Sequence, residues 1–270
     1  MRFFKLIFDF YINSSIHVAF SCYALVRMTQ HMFHIPEGDA VAQFAFFGTI
    51  VGYNFVKYDA LARAKKIQMR KELKAITLFS FCSFILVGFY FFQLERVTQI
   101  VAIAFLSVTL LYTLPFFLNK KNARNWAGVK IYIVALCWVG VTLGLPILDA
   151  GISINLDFYL KCMQRFVLIF VLILIFEIID LAKDDPHLKT VPQQIGVKRT
   201  KIVGLLLLIP FYFLEIFKSN FDKNQLIINF ILVIVISFFI LFANEKRSKY
   251  YTSFWVESVP IVWWFLLLLF

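Results

Sequence analysis

Apolar runs close to twenty residues long recur from one end of the chain to the other, divided by short polar stretches. A helix rises about 1.5 Å per residue, so a run of that length crosses a hydrocarbon core of about 30 Å. Strict apolar/polar alternation is missing, and lipid leaves the backbone groups of an open strand unsatisfied, so the runs read as helices. The pattern predicts nine transmembrane helices, over 6–28, 40–58, 75–93, 100–118, 131–148, 162–179, 202–217, 225–243 and 253–270. The expected fold class is an all-α polytopic membrane protein, with residues 1–270 forming one helical bundle and a single domain. The short link 94–99 predicts that the third and fourth spans are antiparallel neighbours.

Composition agrees: 61% of residues are hydrophobic and the mean hydropathy is +0.81, which excludes a soluble protein. A net charge of +11 suggests nucleic acid only until its distribution is considered. With the N-terminus in the cytoplasm, most Lys and Arg fall on that side, including seven between Lys57 and Lys74. Only Arg27, Arg96, Lys161, Arg165, Lys218 and Lys223 fall on the other. This asymmetry is the positive-inside signal, and it predicts a C-terminus on the opposite side and no nucleic-acid partner. Met1 to Lys5 resembles a signal-peptide n-region, yet no small-residue cleavage site follows, so it reads as a cytoplasmic anchor. Cys22, Cys82, Cys137 and Cys162 lack CxxC spacing and read as packing residues. The 34 phenylalanines read mostly as lipid-facing or packing rings. In the first span Asp9, Asn13 and His17 share a helical face, where interhelical hydrogen bonding explains Asn13 and His17 better than substrate contact does.

Candidate chemistry collects where the sixth run ends, at Glu177-Ile-Ile-Asp180-Leu-Ala-Lys183-Asp184. Steps of three and four put these carboxylates on one helical face. A hard cation such as Mg²⁺ is commonly held by one or two carboxylates together with substrate phosphates. Lys183 and Lys189 stand ready as point charges for diphosphate oxygens. The plainer alternative is a set of solvated loop charges at the membrane surface.

The run Asp180-Leu-Ala-Lys-Asp184, followed by Thr190-Val-Pro192 and Gly196, resembles the second aspartate motif of the UbiA-type intramembrane prenyltransferase superfamily. Tyr112-Thr-Leu-Pro115 with Lys120, Lys121 and Arg124 is similar to the tyrosine and basic residues after that family's fourth helix. The first motif departs from the family pattern: after Asn54 come Phe55, Tyr58 and Ala62 where aspartates are expected, and Asp59 stands one residue out of register. On a helix that offset is a rotation of about 100°.

The resemblance implies a membrane prenyltransferase moving a prenyl group from an isoprenyl diphosphate to a small aromatic or other electron-rich acceptor. It implies Mg²⁺ as cofactor, held by Asp180, Asp184 and Asn54. Asp180, Asp184, Asn54 and Asp59 are then the catalytic candidates, with Lys57, Tyr112, Lys121, Arg124 and Lys189 contacting substrate. The active site would face the cytoplasm, the prenyl tail would lie between helices beside membrane lipid, and Tyr53, Phe55 or Tyr112 would shield an allylic cation. Two other readings stay open. One is a non-catalytic member of the same fold that binds a prenyl lipid or a partner protein; the other is a small transporter using intramembrane acids as a coupling site.

Overall fold

The structure is a computed structural model describing residues 2–36, 38–63, 71–113, 128–184, 186–219 and 221–270, with side chains except at 2–3, 59–63, 71, 111–113 and 187. The described chain is all-α. Its first half comprises α1 (Arg2–Asn13), α2 (Ile16–Met32), α3 (Asp39–Arg63), α4 (Lys71–Phe91) and α5 (Arg96–Thr113). Next comes α6 (Lys130–Val139), which passes through a π-helical stretch, Gly140–Gly144, into α7 (Leu145–Asp149). After these follow α8 (Leu156–Asp180), the short α9 (Val191–Ile195), α10 (Val197–Phe213) and α11 (Lys223–Phe242). A second π-helical stretch, Tyr251–Val256, leads into α12 (Val259–Leu269).

Among the described residues six helices are long and apolar enough to cross a membrane: Glu72–Phe91, Lys130–Asp149, Leu156–Asp180, Val197–Phe217, Lys223–Phe242 and Tyr251–Leu269. The chain therefore has the construction of an integral membrane protein. Their ends are specified locally. Asn155 caps α8 by accepting the Phe158 N–H at 3.0 Å, and Asp222 caps α11 by accepting the Asn224 N–H at 2.8 Å.

The core divides into two clusters that meet at α2. On one side Leu25 and Met28 join Leu168, Leu172 and Ile175 of α8, Phe211 of α10, Leu232 and Ile236 of α11, and Trp263 of α12. On the other, Cys22 and Val26 join Val41 and Ala45 of α3, Ala102 of α5 and Leu145 of α7. The helix between two apolar clusters must satisfy its polar groups inside the protein, and this places the polar seam described below.

Three expectations change. The first span is not one helix over 6–28: it breaks at Ser14 and Ser15, with Ser15 in the left-handed region at φ 62°. Ahead of the break, Lys5, Asp9 and Asn13 recur every fourth residue, opposite the exposed Phe4 and Ile7, so α1 is strongly amphipathic. Secondly, α5 packs on the Lys130–Asp149 rod and not along α4. The polar link closes locally instead: Gln99 Nε2 donates to the Phe91 and Leu94 carbonyls at 3.0 Å, and the Glu95 N–H donates to Asp149 at 2.9 Å. Thirdly, α8 begins at Leu156, ahead of the expected 162, so Lys161 is a buried bundle residue and not a loop charge, and Arg165 is buried with it.

The first π-helical stretch opens at Gly140, where the Phe105 ring of α5 comes so close that an added Cβ would lie 1.8 Å from Cζ. Absence of a side chain there is what lets α5 reach the rod. Overpacking typically costs about 1–3 kcal/mol. Gly140→Ala is expected to lower thermal stability in detergent by about that amount, and Gly140→Ala/Phe105→Ala to recover part of it by vacating the ring's volume; unchanged melting of the single variant would show that the ring moves aside freely.

Candidate functional site

Two polar regions lie toward the end of the bundle where α8 finishes: the α1–α2 break and the carboxylates of the α8 terminus. At the break the carbonyls released from helical bonding are met by side chains of α3. Asn54 Nδ2 donates to the Ser14 carbonyl at 3.0 Å and to Ser80 Oγ of α4 at 2.9 Å, while its Oδ1 accepts from Ser15 Oγ at 2.8 Å. The Asn13 carbonyl accepts from Tyr58 Oη at 2.8 Å and from Lys57 Nζ at 3.2 Å. Asn13 Nδ2 in turn donates to Glu72 of α4 at 2.8 Å. Asn54 is buried at 4% exposure. One amide therefore ties three helices to the break, and Asn54 has a structural role whatever else it does.

Just past the break, His17 reaches the second π-helical stretch. Its Nε2 lies 2.9 Å from the Phe254 carbonyl and 3.0 Å from Ser258 Oγ, and its Nδ1 lies 2.8 Å from Tyr11 Oη. A carbonyl can only accept, so Nε2 carries the proton and, in the neutral ring, Nδ1 accepts from Tyr11. Phe254 also stacks on the imidazole with centroids 4.8 Å apart. Ser21 Oγ donates to the Glu257 carbonyl. These bonds fix the Glu257 backbone at the α2–α12 seam, with Lys57 and Tyr11 within electrostatic range of its carboxylate. At the rim of the same region Tyr250 Oη donates to Asp9, and Lys249 lies 3.4 Å from that carboxylate.

At the α8 terminus the Asp184 N–H donates to the Asp180 carbonyl at 2.9 Å. The chain thus keeps an i→i+4 helical bond one turn beyond the last residue of α8, and the two carboxylates retain the spacing that puts them on one face. Asp180 is half-exposed, with Lys183 Nζ 3.6 Å from Oδ1. Glu177 is buried behind them; its Oε2 accepts the Val191 N–H at 3.0 Å, and Lys130 and Asp184 lie within electrostatic range. Gln193 Oε1 accepts the Thr190 N–H at 2.9 Å, starting α9. Lys189 follows at φ 46° with an exposed side chain. No group of three or more His, Cys, Asp or Glu is placed to hold a metal among the described residues. Two hard carboxylates one helical turn apart nevertheless suit Mg²⁺, which needs only one or two when a substrate phosphate supplies the rest.

Of the residues singled out from sequence, Asp180 and Asp184 come together at the α8 terminus, whereas Asn54 and Lys57 come together at the α1–α2 break. The side chains of Asp59 and Tyr112, and Lys121 and Arg124 altogether, lie outside the described residues. Two clefts, of about 220 and 260 Å³, lie away from both regions, one between α10 and α11 and one beside the link from α2 to α3.

The bundle also carries buried charge, of which Lys161 and Lys218 fell between the expected spans. Glu215, with 0% side-chain exposure, accepts from Lys161 Nζ at 2.6 Å on one oxygen and from Lys218 Nζ at 2.6 Å on the other. Gln164 and Asn229 add bonds at 3.3 Å each. Arg165, also buried, points Nη1 at the Leu25 carbonyl, Thr29 Oγ1 and the Thr142 carbonyl at 3.1, 2.7 and 2.8 Å. It pins α8 to α2 and to the first π-helical stretch. A usable signal existed for these residues, since Lys161, Gln164 and Arg165 share a helical face at the start of an apolar run. Glu257 carried the same signal, a lone acid inside the last run; the π-helical stretch beside it has no counterpart in the hydropathy pattern.

Comparison with protein-family models, with curated proteins and with solved structures finds no match.

Removing one partner of a buried pair costs about 3–5 kcal/mol because the other charge is stranded. Glu215→Ala should therefore lower stability by about that much. Glu215→Leu/Lys161→Met should recover most of the loss, and melting curves of the two variants in detergent provide the check.

Proposed function

We propose that this chain is a divergent intramembrane prenyltransferase of the UbiA type, transferring a prenyl group from an isoprenyl diphosphate to a small aromatic or other electron-rich acceptor. The observation that carries this reading is the retained helical bond from Asp184 to Asp180, which keeps two carboxylates on one face at the end of a long apolar helix. In this reading nine spans cross the bilayer, the first interrupted at Ser14 and Ser15. The N-terminus and the Asp180 region face the cytoplasm, and the C-terminus faces the opposite side.

Asp180 and Asp184 would hold Mg²⁺, whereas Asn54, the third ligand the sequence suggested, is engaged at the α1–α2 break. The bound ion would supply positive charge that lets diphosphate depart as an anion. The chain's own part is to place cations around that leaving group: Lys189 beside the carboxylates, Lys57 in α3, and Lys121 and Arg124, which precede Lys130 in the sequence. Asp59 is the remaining acid of the eroded first motif. Tyr53, Phe55 and Tyr112 would present aromatic faces to the allylic cation and keep water from it. Trp138 Nε1 donates to Tyr53 Oη at 2.9 Å, which fixes the orientation of that ring.

Two observations favour other readings. Asn54 is engaged as a clamp, and most of the first motif is absent, which suits a member that binds a prenyl lipid without turnover. A helix broken inside the bundle beside Glu257 suits a transporter, since discontinuous helices and intramembrane acids frame substrate sites in such proteins.

The transferase reading predicts Mg²⁺-dependent release of diphosphate from labelled farnesyl diphosphate in the presence of a phenolic acceptor. Chelation should abolish it, and Asp180→Asn or Asp184→Asn should lower it by at least about a hundredfold, each removed contribution of about 2.7 kcal/mol being two decades in rate. Binding of the diphosphate without release would favour the lipid-binding member, and flux across proteoliposomes the transporter.

A further inference from the structure

The first turn of α2 lies inside the bundle without a cap. Ser15 stands at the N-cap position, but its hydroxyl is turned to Asn54 and makes no capping bond. The N–H groups of Ile16, His17 and Val18 have no acceptor among the described residues; the first amide of the helix to find one is Ala19, which donates to the Ser15 carbonyl at 3.1 Å. His17 and Val18 are buried at 3% and 4% exposure. Buried amides of this kind are costly unless something accepts from them, and the positive end of a helix favours an anion.

A second observation points the same way. Ser14, one residue ahead of that cap, is fully buried at 0% exposure, and its hydroxyl has no hydrogen-bond partner. Its donor is spare in the residue next to the uncapped turn. Lys57 completes the set, because the Asn13 carbonyl is the only hydrogen-bond acceptor of its ammonium among the described residues. The charged groups facing Lys57 from other elements are Glu257 beside the second π-helical stretch, Glu72 of α4 and Lys249. Glu72 accepts from the neutral Asn13 amide and keeps its charge, so Glu72 and Glu257 are the acids that oppose an incoming anion.

We propose that the α1–α2 break is an oxyanion-binding site, in which the Ile16, His17 and Val18 amides, the Ser14 hydroxyl and the Lys57 ammonium receive a phosphate-type group. The group can come from water or from the headgroup of a membrane lipid. The proposal does not depend on the transferase reading, which assigns Lys57 to the diphosphate instead.

The test uses the full chain in a phosphate-free maltoside detergent, with thermal melting and calorimetric titration as readouts. Inorganic phosphate and dioleoyl phosphatidic acid are added separately, with sodium chloride at equal ionic strength as control. At least one of the two phosphate compounds should raise the melting temperature by several degrees beyond the salt control. A response to inorganic phosphate identifies an aqueous ligand, and a response to phosphatidic acid alone identifies a lipid. Ser14→Ala and Lys57→Met should each weaken binding at least tenfold, whereas Glu257→Gln should strengthen it. Ser14→Asp, which brings its own carboxylate to the free amides, should melt higher than the wild type in anion-free buffer and no longer respond to the added compound. Melting shifts no larger than those of chloride, or affinities that Ser14→Ala and Lys57→Met leave unchanged, would overturn the proposal. Mg²⁺-dependent turnover that persists in Ser14→Asp would leave the transferase reading standing while separating it from this site.

Discussion

Within a bilayer a helix can stop only where the backbone groups it releases find partners in the protein, because lipid offers none. Asn54 supplies the partner on which this bundle depends. Its amide holds the Ser14 carbonyl, the Ser15 hydroxyl and Ser80 at once, so the first apolar run bends away as α1 and α2 without leaving its carbonyl end stranded. A neutral amide suits this task better than a carboxylate would. It donates and accepts together, and it brings no charge into a buried site.

The same constraint organises the rest of α2. Placed between two apolar clusters, the helix carries His17, Ser21 and Thr29 buried along its length, and each is answered by a carbonyl of a neighbouring segment. His17 meets the Phe254 carbonyl, Ser21 the Glu257 carbonyl, and Thr29 the Thr142 carbonyl. Two of these partners lie in π-helical stretches and the third immediately follows one; such stretches displace carbonyls from regular helical bonding. Polar side chains of α2 and bulges in its neighbours are thus matched, which gives the bundle a defined register that apolar packing alone would not impose. Arg165 and the Lys161–Glu215–Lys218 group do the same for α8, where a missed pairing would strand a charge in an apolar interior.

Much of the architecture was legible in the sequence because helix length and hydropathy are local properties. The runs that end at Phe91, Asp180 and Phe242 became helices close to their expected limits. The Asp180 to Asp184 spacing was legible for the same reason, since an i, i+4 relation survives wherever one helical bond continues. What escaped was tertiary. Ser14 and Ser15 carry no Gly or Pro to announce a break, and only the clamp from α3 makes the left-handed Ser15 tolerable. The link 94–99 looked like a tight hairpin, yet α5 follows the space that Gly140 leaves open. Lys161 looked like a loop charge, and Arg165 gave no sign of its pairing, because their partners, Glu215 and the Thr142 carbonyl, are distant in sequence.

The central claim is that the first apolar run is two helices joined at a clamped left-handed residue. Carbon chemical shifts of isotopically labelled protein in lipid nanodiscs report backbone conformation residue by residue and test it most directly. The account predicts helical shifts at Ile12 and again from Ala19 onward, with Ser15 displaced out of the right-handed helical range. An unbroken series of helical shifts from Leu6 to Met28 would contradict it.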